Sequence, residues 1–214
     1  MMNPQDTVEE IGRLKVVPVV AIDDAEAALP LADALAEGGL GVAEITFRTA
    51  AGAAVIKKIA DQRPKMLVGA GTILTVENLR RAKDCGAVFG VAPGFNPRIA
   101  EEAIKLGFPF FPGVMTPTDI EAALALKLNV LKFFPAEAAG GLTMLKALGE
   151  PYKHMGVRFI PTGGVNIENF REYLGVETVL AVGGTWVARR PDIAAGQWDK
   201  IKANCRQIVG ALEA

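Results

Sequence analysis

Short, mostly apolar runs alternate along the chain with longer stretches of helical periodicity. The strand-like runs are Val16–Val20, Val42–Phe47, Met66–Ala70, Ala87–Val91, Phe108–Phe111, Val130–Phe133, Arg158–Pro161 and Thr178–Val182, recurring every 20–28 residues. That is the spacing of βα units. Most runs are nearly continuous in apolar residues, as strands are when both faces of a parallel sheet are buried. Eight of them predict an α/β fold of the (β/α)8 TIM-barrel type rather than an open doubly wound sheet.

The intervening segments carry helix punctuation. Ala25–Glu37 is rich in Ala and Leu and ends at Gly38-Gly39, a C-cap signal. Ala53–Gln62 stops before Pro64, and Thr75 is placed to cap Val76–Asp84. Asn96-Pro97 reads as N-cap and first helical residue of a helix closing at Gly107. Thr118–Lys127 and Leu142–Leu148 follow, and Asn166 is expected to cap Ile167–Tyr173. Asp192–Leu212 predicts one last helix packed on the outside, and Thr7–Leu14 a short helix closing the barrel bottom. No linker, low-complexity segment or charge run divides the chain, so residues 1–214 are read as one domain.

Composition narrows the chemistry. Half of the 214 residues are hydrophobic, 22% are charged and the formal net charge is -1. That suits a globular core and gives no basic excess for nucleic acid. No run approaches a membrane span, and Met1–Arg13 is polar and acidic, so a cytoplasmic protein is expected. Cys85 and Cys205 form no CxxC pair and read as small apolar residues of a reducing compartment. The chain has no serine, which excludes a Ser-His-Asp triad, and a single histidine, His154, in a polar turn-like stretch. One histidine cannot build a multi-His metal site, whereas a carboxylate-bound Mg²⁺ stays open.

Polar residues inside core-like runs are the candidates for chemistry. In Val42–Arg48, alternation puts Glu44, Thr46 and Arg48 on one face and Ala43, Ile45 and Phe47 on the other. The polar set would face the barrel interior, as a buried ion pair or as functional groups. Lys132 is the only charge in Val130–Ala136. Either it snorkels to the surface, or desolvation favours the neutral amine, the form that attacks a carbonyl. Gly69-Ala70-Gly71-Thr72 lacks the third glycine of a dinucleotide fingerprint and suits close backbone approach. Gly163-Gly164 and Gly183-Gly184 follow the seventh and eighth runs. They are tight turns, or the phosphate site usual there in such barrels. Pro93-Gly94 and Pro112-Gly113 shape the rim.

Together these residues resemble the 2-keto-3-deoxy-6-phosphogluconate (KDPG) and 4-hydroxy-2-oxoglutarate (KHG) aldolases over nearly the whole chain. The carriers are Pro18-Val19-Val20, Glu44 to Thr49, Gly69 to Thr72, Ala92-Pro93-Gly94, Phe111-Pro112-Gly113, Leu131 to Glu137, Pro161 to Gly164 and Gly183 to Trp186. The resemblance implies a class I aldolase needing no metal or other cofactor. It implies that Lys132 forms the Schiff base and that Glu44 serves as acid and base. Arg48 and Thr72 would hold the substrate carboxylate, and Pro93 and Phe134 would border the substrate. Thr162, Gly163, Gly164, Gly183, Gly184 and Thr185 would line the phosphate end. The implied partner is a small 2-oxo acid sugar phosphate, not nucleic acid or membrane, and the implied assembly a homotrimer. Thr185 departs from the family's frequent Ser, adding a methyl group to the phosphate pocket. Thr162 favours the gluconate-type over the galactonate-type relatives. Two other classes compete: phosphate-binding barrel epimerases or synthases, with Lys132 a ground-state charge partner, and a sugar-phosphate sensor that binds without turnover.

Overall fold

A computed structural model describes residues 4–213; the first three residues and the last of the expected domain lie outside it. Helix α1 (Pro4–Leu14) leads into strand β1 (Val16–Val20). Then come α2 (Ala28–Glu37), β2 (Val42–Thr46), α3 (Gly52–Gln62), β3 (Leu67–Gly71), α4 (Val76–Asp84) and β4 (Gly90–Val91). Next are α5 (Pro97–Lys105), β5 (Phe110–Phe111), β6 (Gly113–Val114), α6 (Pro117–Ala125), β7 (Val130–Phe133) and α7 (Gly141–Gly149). The chain closes with β8 (Arg158–Phe159), α8 (Phe170–Leu174), β9 (Val182–Gly184), α9 (Arg190–Ala194) and α10 (Trp198–Glu213).

This is an α/β fold with a curled, wholly parallel sheet. Six strands are ordered β5-β4-β3-β2-β1-β9, and three more β6-β7-β8. Of the expected fifth run, Phe108–Phe111, only Phe110–Phe111 is regular strand, and a further short strand, β6, follows past Pro112, which has no N–H for the ladder. The Pro112 carbonyl still accepts from the Lys132 N–H at 2.8 Å. Two isolated bridges continue the parallel pairing: Phe159 of β8 with Val179, ahead of β9, and Thr162, past β8, with Gly183 of β9. The expected eighth run therefore forms regular strand only from Val182.

Alternation along the strands separates two apolar cores. Val16, Val20, Ala43 and Ile45 pack outward against Leu31 and Leu35 of α2 and Val55, Ile56 and Ile59 of α3. Val17, Val42, Leu67, Phe89, Phe111, Val130 and Ile160 fill the inside, where Ile11 and Leu14 of α1 join them. α1 thus plugs the N-terminal end of the sheet, as expected of Thr7–Leu14. Burying Ile11 and Leu14 stabilises this plug by about 1.5–3 kcal/mol per side chain.

Caps behave as the sequence predicts at Thr75 and Asn96, whose side chains accept from Asn78 N–H and Arg98 N–H. Two helices differ. Asn166 turns the chain instead of capping: its side chain accepts from Glu168 N–H, and its own N–H donates to Asn169 Oδ1. α8 consequently begins only at Phe170. The tail is two helices, since the chain turns at Gly196 with φ +64° before α10 starts. Among the described residues no helix is long and apolar enough to cross a membrane.

Candidate active site

The C-terminal strand ends surround a cavity of about 230 Å³. Glu44 on β2 and Lys132 on β7 meet at its floor, with Lys132 Nζ 3.2 Å from Glu44 Oε1. Glu44 is 4% and Lys132 6% exposed. Among the described residues this is the one ion pair with both side chains buried. Desolvating two charges costs several kcal/mol per ion, and their attraction offsets this only in good geometry, so such a pair is weak evidence for stability. Backbone placement fixes the geometry. Lys132 lies opposite Gly113 in the β6–β7 register, and Glu44 opposite Val19 and Gly69. Gly71 leaves the space that Glu44 occupies: a Cβ there would overlap Glu44 Oε1. Gly69 likewise accommodates the Phe89 ring. Both glycines permit close approach, and neither belongs to a nucleotide loop. The Phe134 ring stands 5.4 Å from Lys132 Nζ, at cation–π range.

Arg48 does not sit on the strand that alternation assigned to it. β2 ends at Thr46, and Arg48 lies exposed in the following turn. It nevertheless lines the cavity, because its Nε donates to Thr46 Oγ1 at 3.2 Å. Thr46 is buried and donates in turn to the Val20 carbonyl at 2.9 Å, a strut between β1 and Arg48. Thr72 stands half-buried beyond β3 with φ +60°, a conformation costly for a β-branched residue. Pro93 closes the wall beside it.

The opposite wall is built from turns. Gly163 and Gly164 have φ +96° and +86°, the left-handed region that favours glycine. Their N–H groups donate to no acceptor among the described residues. Thr162, Val165, Gly184 and Thr185 complete this side. Gly184 must lack a side chain because the Trp186 ring lies where its Cβ would be. Gly183 is the one sequence-predicted residue outside the lining. Its N–H donates to the Pro161 carbonyl at 2.8 Å, and its missing Cβ makes room for Thr162 Oγ1. It shapes the wall from behind and has no amide to offer a ligand.

Three lining residues were not singled out as site residues: Val19, Thr46 and Val165. Thr46 had a signal in its polar position on an otherwise apolar strand; the valines had none. Elsewhere, Cys205 is fully buried, Cys85 half-buried and His154 exposed. Among the described residues no three His, Cys, Asp or Glu side chains converge as metal ligands do.

Comparison with known proteins places this cavity in context. The family model for KDPG and KHG aldolases matches residues 8–204. The chain belongs to the KDPG and KHG aldolase family. The 2-dehydro-3-deoxy-phosphogluconate aldolase of Haemophilus influenzae is 44% identical over 209 residues, 98% of each chain. A KDPG aldolase from Legionella pneumophila, with pyruvate captured as a covalent carbinolamine intermediate, superposes with a TM-score of 0.90. It is 35% identical, over 96% of this chain and 97% of that one. The Zymomonas mobilis KDPG aldolase with 3-phosphoglycerate has a TM-score of 0.85 at 38% identity, covering 94% of this chain and 93% of that one. The family is one of aldolases, which are lyases.

Proposed function

We propose that this family member is a class I aldolase that cleaves 2-dehydro-3-deoxy-6-phosphogluconate to pyruvate and glyceraldehyde 3-phosphate. 4-Hydroxy-2-oxoglutarate, giving pyruvate and glyoxylate, is the second substrate, in keeping with a family described by both activities. The observation that carries the proposal is the buried Lys132–Glu44 pair, 3.2 Å apart on the cavity floor.

Each step follows from these positions. Glu44 accepts the proton that Lys132 gives up, and the neutral amine attacks the C2 carbonyl to form a carbinolamine. Glu44 returns that proton to the carbinolamine hydroxyl, and loss of water leaves an iminium at C2, adjacent to C3. That cation is an electron sink, so no metal or organic cofactor is called for. The C3–C4 bond breaks, the C4 hydroxyl proton passes to Glu44 directly or through water, and the C4 fragment leaves as an aldehyde. The enamine takes that proton back from Glu44 at C3, and hydrolysis releases pyruvate and the amine. Arg48 and Thr72, at the rim near β2 and β3, hold the carboxylate and so orient the carbonyl. The Gly163 and Gly164 amides, with the Thr162 and Thr185 hydroxyls, receive the phosphate at the far wall. Pro93 and Phe134 border the substrate between these ends.

The same reading extends to the whole molecule. Counting β5 and β6 as one strand interrupted at Pro112 gives eight positions, and the two bridges from Phe159 and Thr162 to Val179 and Gly183 support closure into a (β/α)8 barrel. One such barrel accounts for the chain as a single domain. A cytoplasmic homotrimer is the proposed setting; exposed Leu74 and Met115, after β3 and β6, are candidate contacts between copies.

Borohydride reduction in the presence of pyruvate tests the chemistry. A pyruvyl adduct on the peptide containing Lys132 is expected, with no adduct and no cleavage in Lys132→Ala. Glu44→Gln should slow turnover by about 10²–10⁴-fold while permitting some adduct. Absence of adduct in the wild-type protein, or wild-type turnover in Lys132→Ala, would overturn the assignment.

A further inference from the structure

Two residues outside the cavity make contacts that a barrel wall does not require. Tyr173 lies in the short helix α8 and is fully buried, and its hydroxyl donates to Glu137 Oε1. Glu137 is otherwise exposed, just past β7 on the loop that begins at Phe134. That loop is zipped to the phosphate wall by its backbone. Ala136 N–H donates to the Thr162 carbonyl at 2.8 Å, and Glu137 N–H to the Gly163 carbonyl at 2.9 Å. The Glu137 side chain also covers Gly164 so closely that a Cβ on Gly164 would overlap its Cβ and Cγ. Two consecutive glycines are the least self-determined backbone in the wall, and their shape has to be imposed from outside.

We propose that Tyr173 and Glu137 are positioning residues that clamp the Gly163–Gly164 turn in the shape that receives phosphate, so that they set the preference for phosphorylated over unphosphorylated substrates. This rests on the aldolase and phosphate reading above. The phenol does two things. It fixes the Glu137 side chain over Gly164, and it holds a carboxylate back from a wall meant for an anion. Released, that carboxylate would stand beside the phosphate as a like charge. Burial first, and then the adjoining carboxylate, push the Tyr173 hydroxyl well above the usual phenol range, so it stays a donor throughout the working pH range.

Tyr173→Phe removes one oxygen and keeps the ring that packs. In that variant KM for the phosphorylated six-carbon substrate should rise about tenfold with kcat little changed, the loss of one hydrogen bond that positions the wall. Borohydride trapping with pyruvate, which has no phosphate, should proceed at the wild-type rate. Glu137→Ala should repeat the effect. Glu137→Gln, which keeps an acceptor for the phenol without the charge, should restore KM. An unchanged KM in Tyr173→Phe and Glu137→Ala overturns the clamp. So does a fall in the trapping rate in step with the rise in KM, since that marks general damage to the fold. Competition by inorganic phosphate in the wild-type protein separates the layers. Trapping without phosphate competition removes the phosphate subsite, and the clamp with it, while leaving the aldolase. No trapping at all removes both.

Discussion

At the scale of single residues, the site depends on space as much as on charge. Glu44 and Lys132 were legible in the sequence because each is a charge set in an apolar strand, where burial without a partner is too costly to persist. What no pattern revealed is that Gly71 makes their meeting possible. Its absent Cβ is where Glu44 Oε1 lies, so Gly71→Ala must drive the carboxylate off the lysine. The backbone of Gly71 is not left-handed, so alanine is tolerated there by the chain itself. Under the proposed mechanism cleavage is therefore expected to fall about 100-fold, the usual consequence of misplacing an active-site group by an ångström. Circular dichroism and the melting transition should stay close to wild type. Retention of full kcat would show that the carboxylate position is immaterial. Val19 and Val165 mark the limit of reading residues alone, since a valine lining a cavity and a valine in a core carry the same signal. Arg48 marks another: alternation was carried two residues past the end of β2, and a hydrogen bond to Thr46, not strand geometry, brings the guanidinium to the cavity.

At the scale of elements, apolar runs and caps located most strands and helices, because burial on both faces and capping chemistry are local properties. Misplaced boundaries trace to competition between local options. Asn166 and Asn169 bond to each other's turn and delay α8 to Phe170, and Gly196 lets the tail turn between α9 and α10. The two-core arrangement also explains an outer contact. Gly38 ends α2 where α10 crosses it, and a Cβ on Gly38 would overlap the Cβ of Cys205 and stand 3.0 Å from the Lys202 carbonyl. Its φ of -81° suits any residue, so the demand for glycine is one of packing. Gly38→Ala should destabilise the protein by about 1–3 kcal/mol through overpacking, read as a lower denaturation midpoint with unchanged m-value. Because the contact is remote from the cavity, kcat/KM below the transition should be unaffected. A variant as stable as wild type would mean that α10 yields freely.

At the scale of the whole molecule, the same α2–α10 contact links packing to pH. Cys205 is fully buried there, and desolvation raises its thiol from 9.0 to about 12. The unfolded chain exposes the thiol and loses its proton first. Between pH 9 and 12 the folded state therefore holds one more proton than the unfolded state, and stability falls as pH rises, by about 1.4 kcal/mol per pH unit from this group. Below pH 9 the thiol is protonated in both states and contributes no slope. Other groups of the unfolded chain lose protons in the same window, so the informative quantity is a difference. Cys205→Ala costs some packing at every pH but removes the thiol, and its alkaline limb should be shallower than the wild-type limb by about that amount per unit. Urea denaturation from pH 7 to 11 measures both limbs. The same burial should leave Cys205 unreactive to thiol reagents until the protein unfolds, while the half-buried Cys85 reacts in the native state. Parallel limbs in the two proteins, or native-state labelling of Cys205, would show that α10 opens from the helical layer on its own, and would separate the stability of that layer from that of the core that holds Glu44 and Lys132.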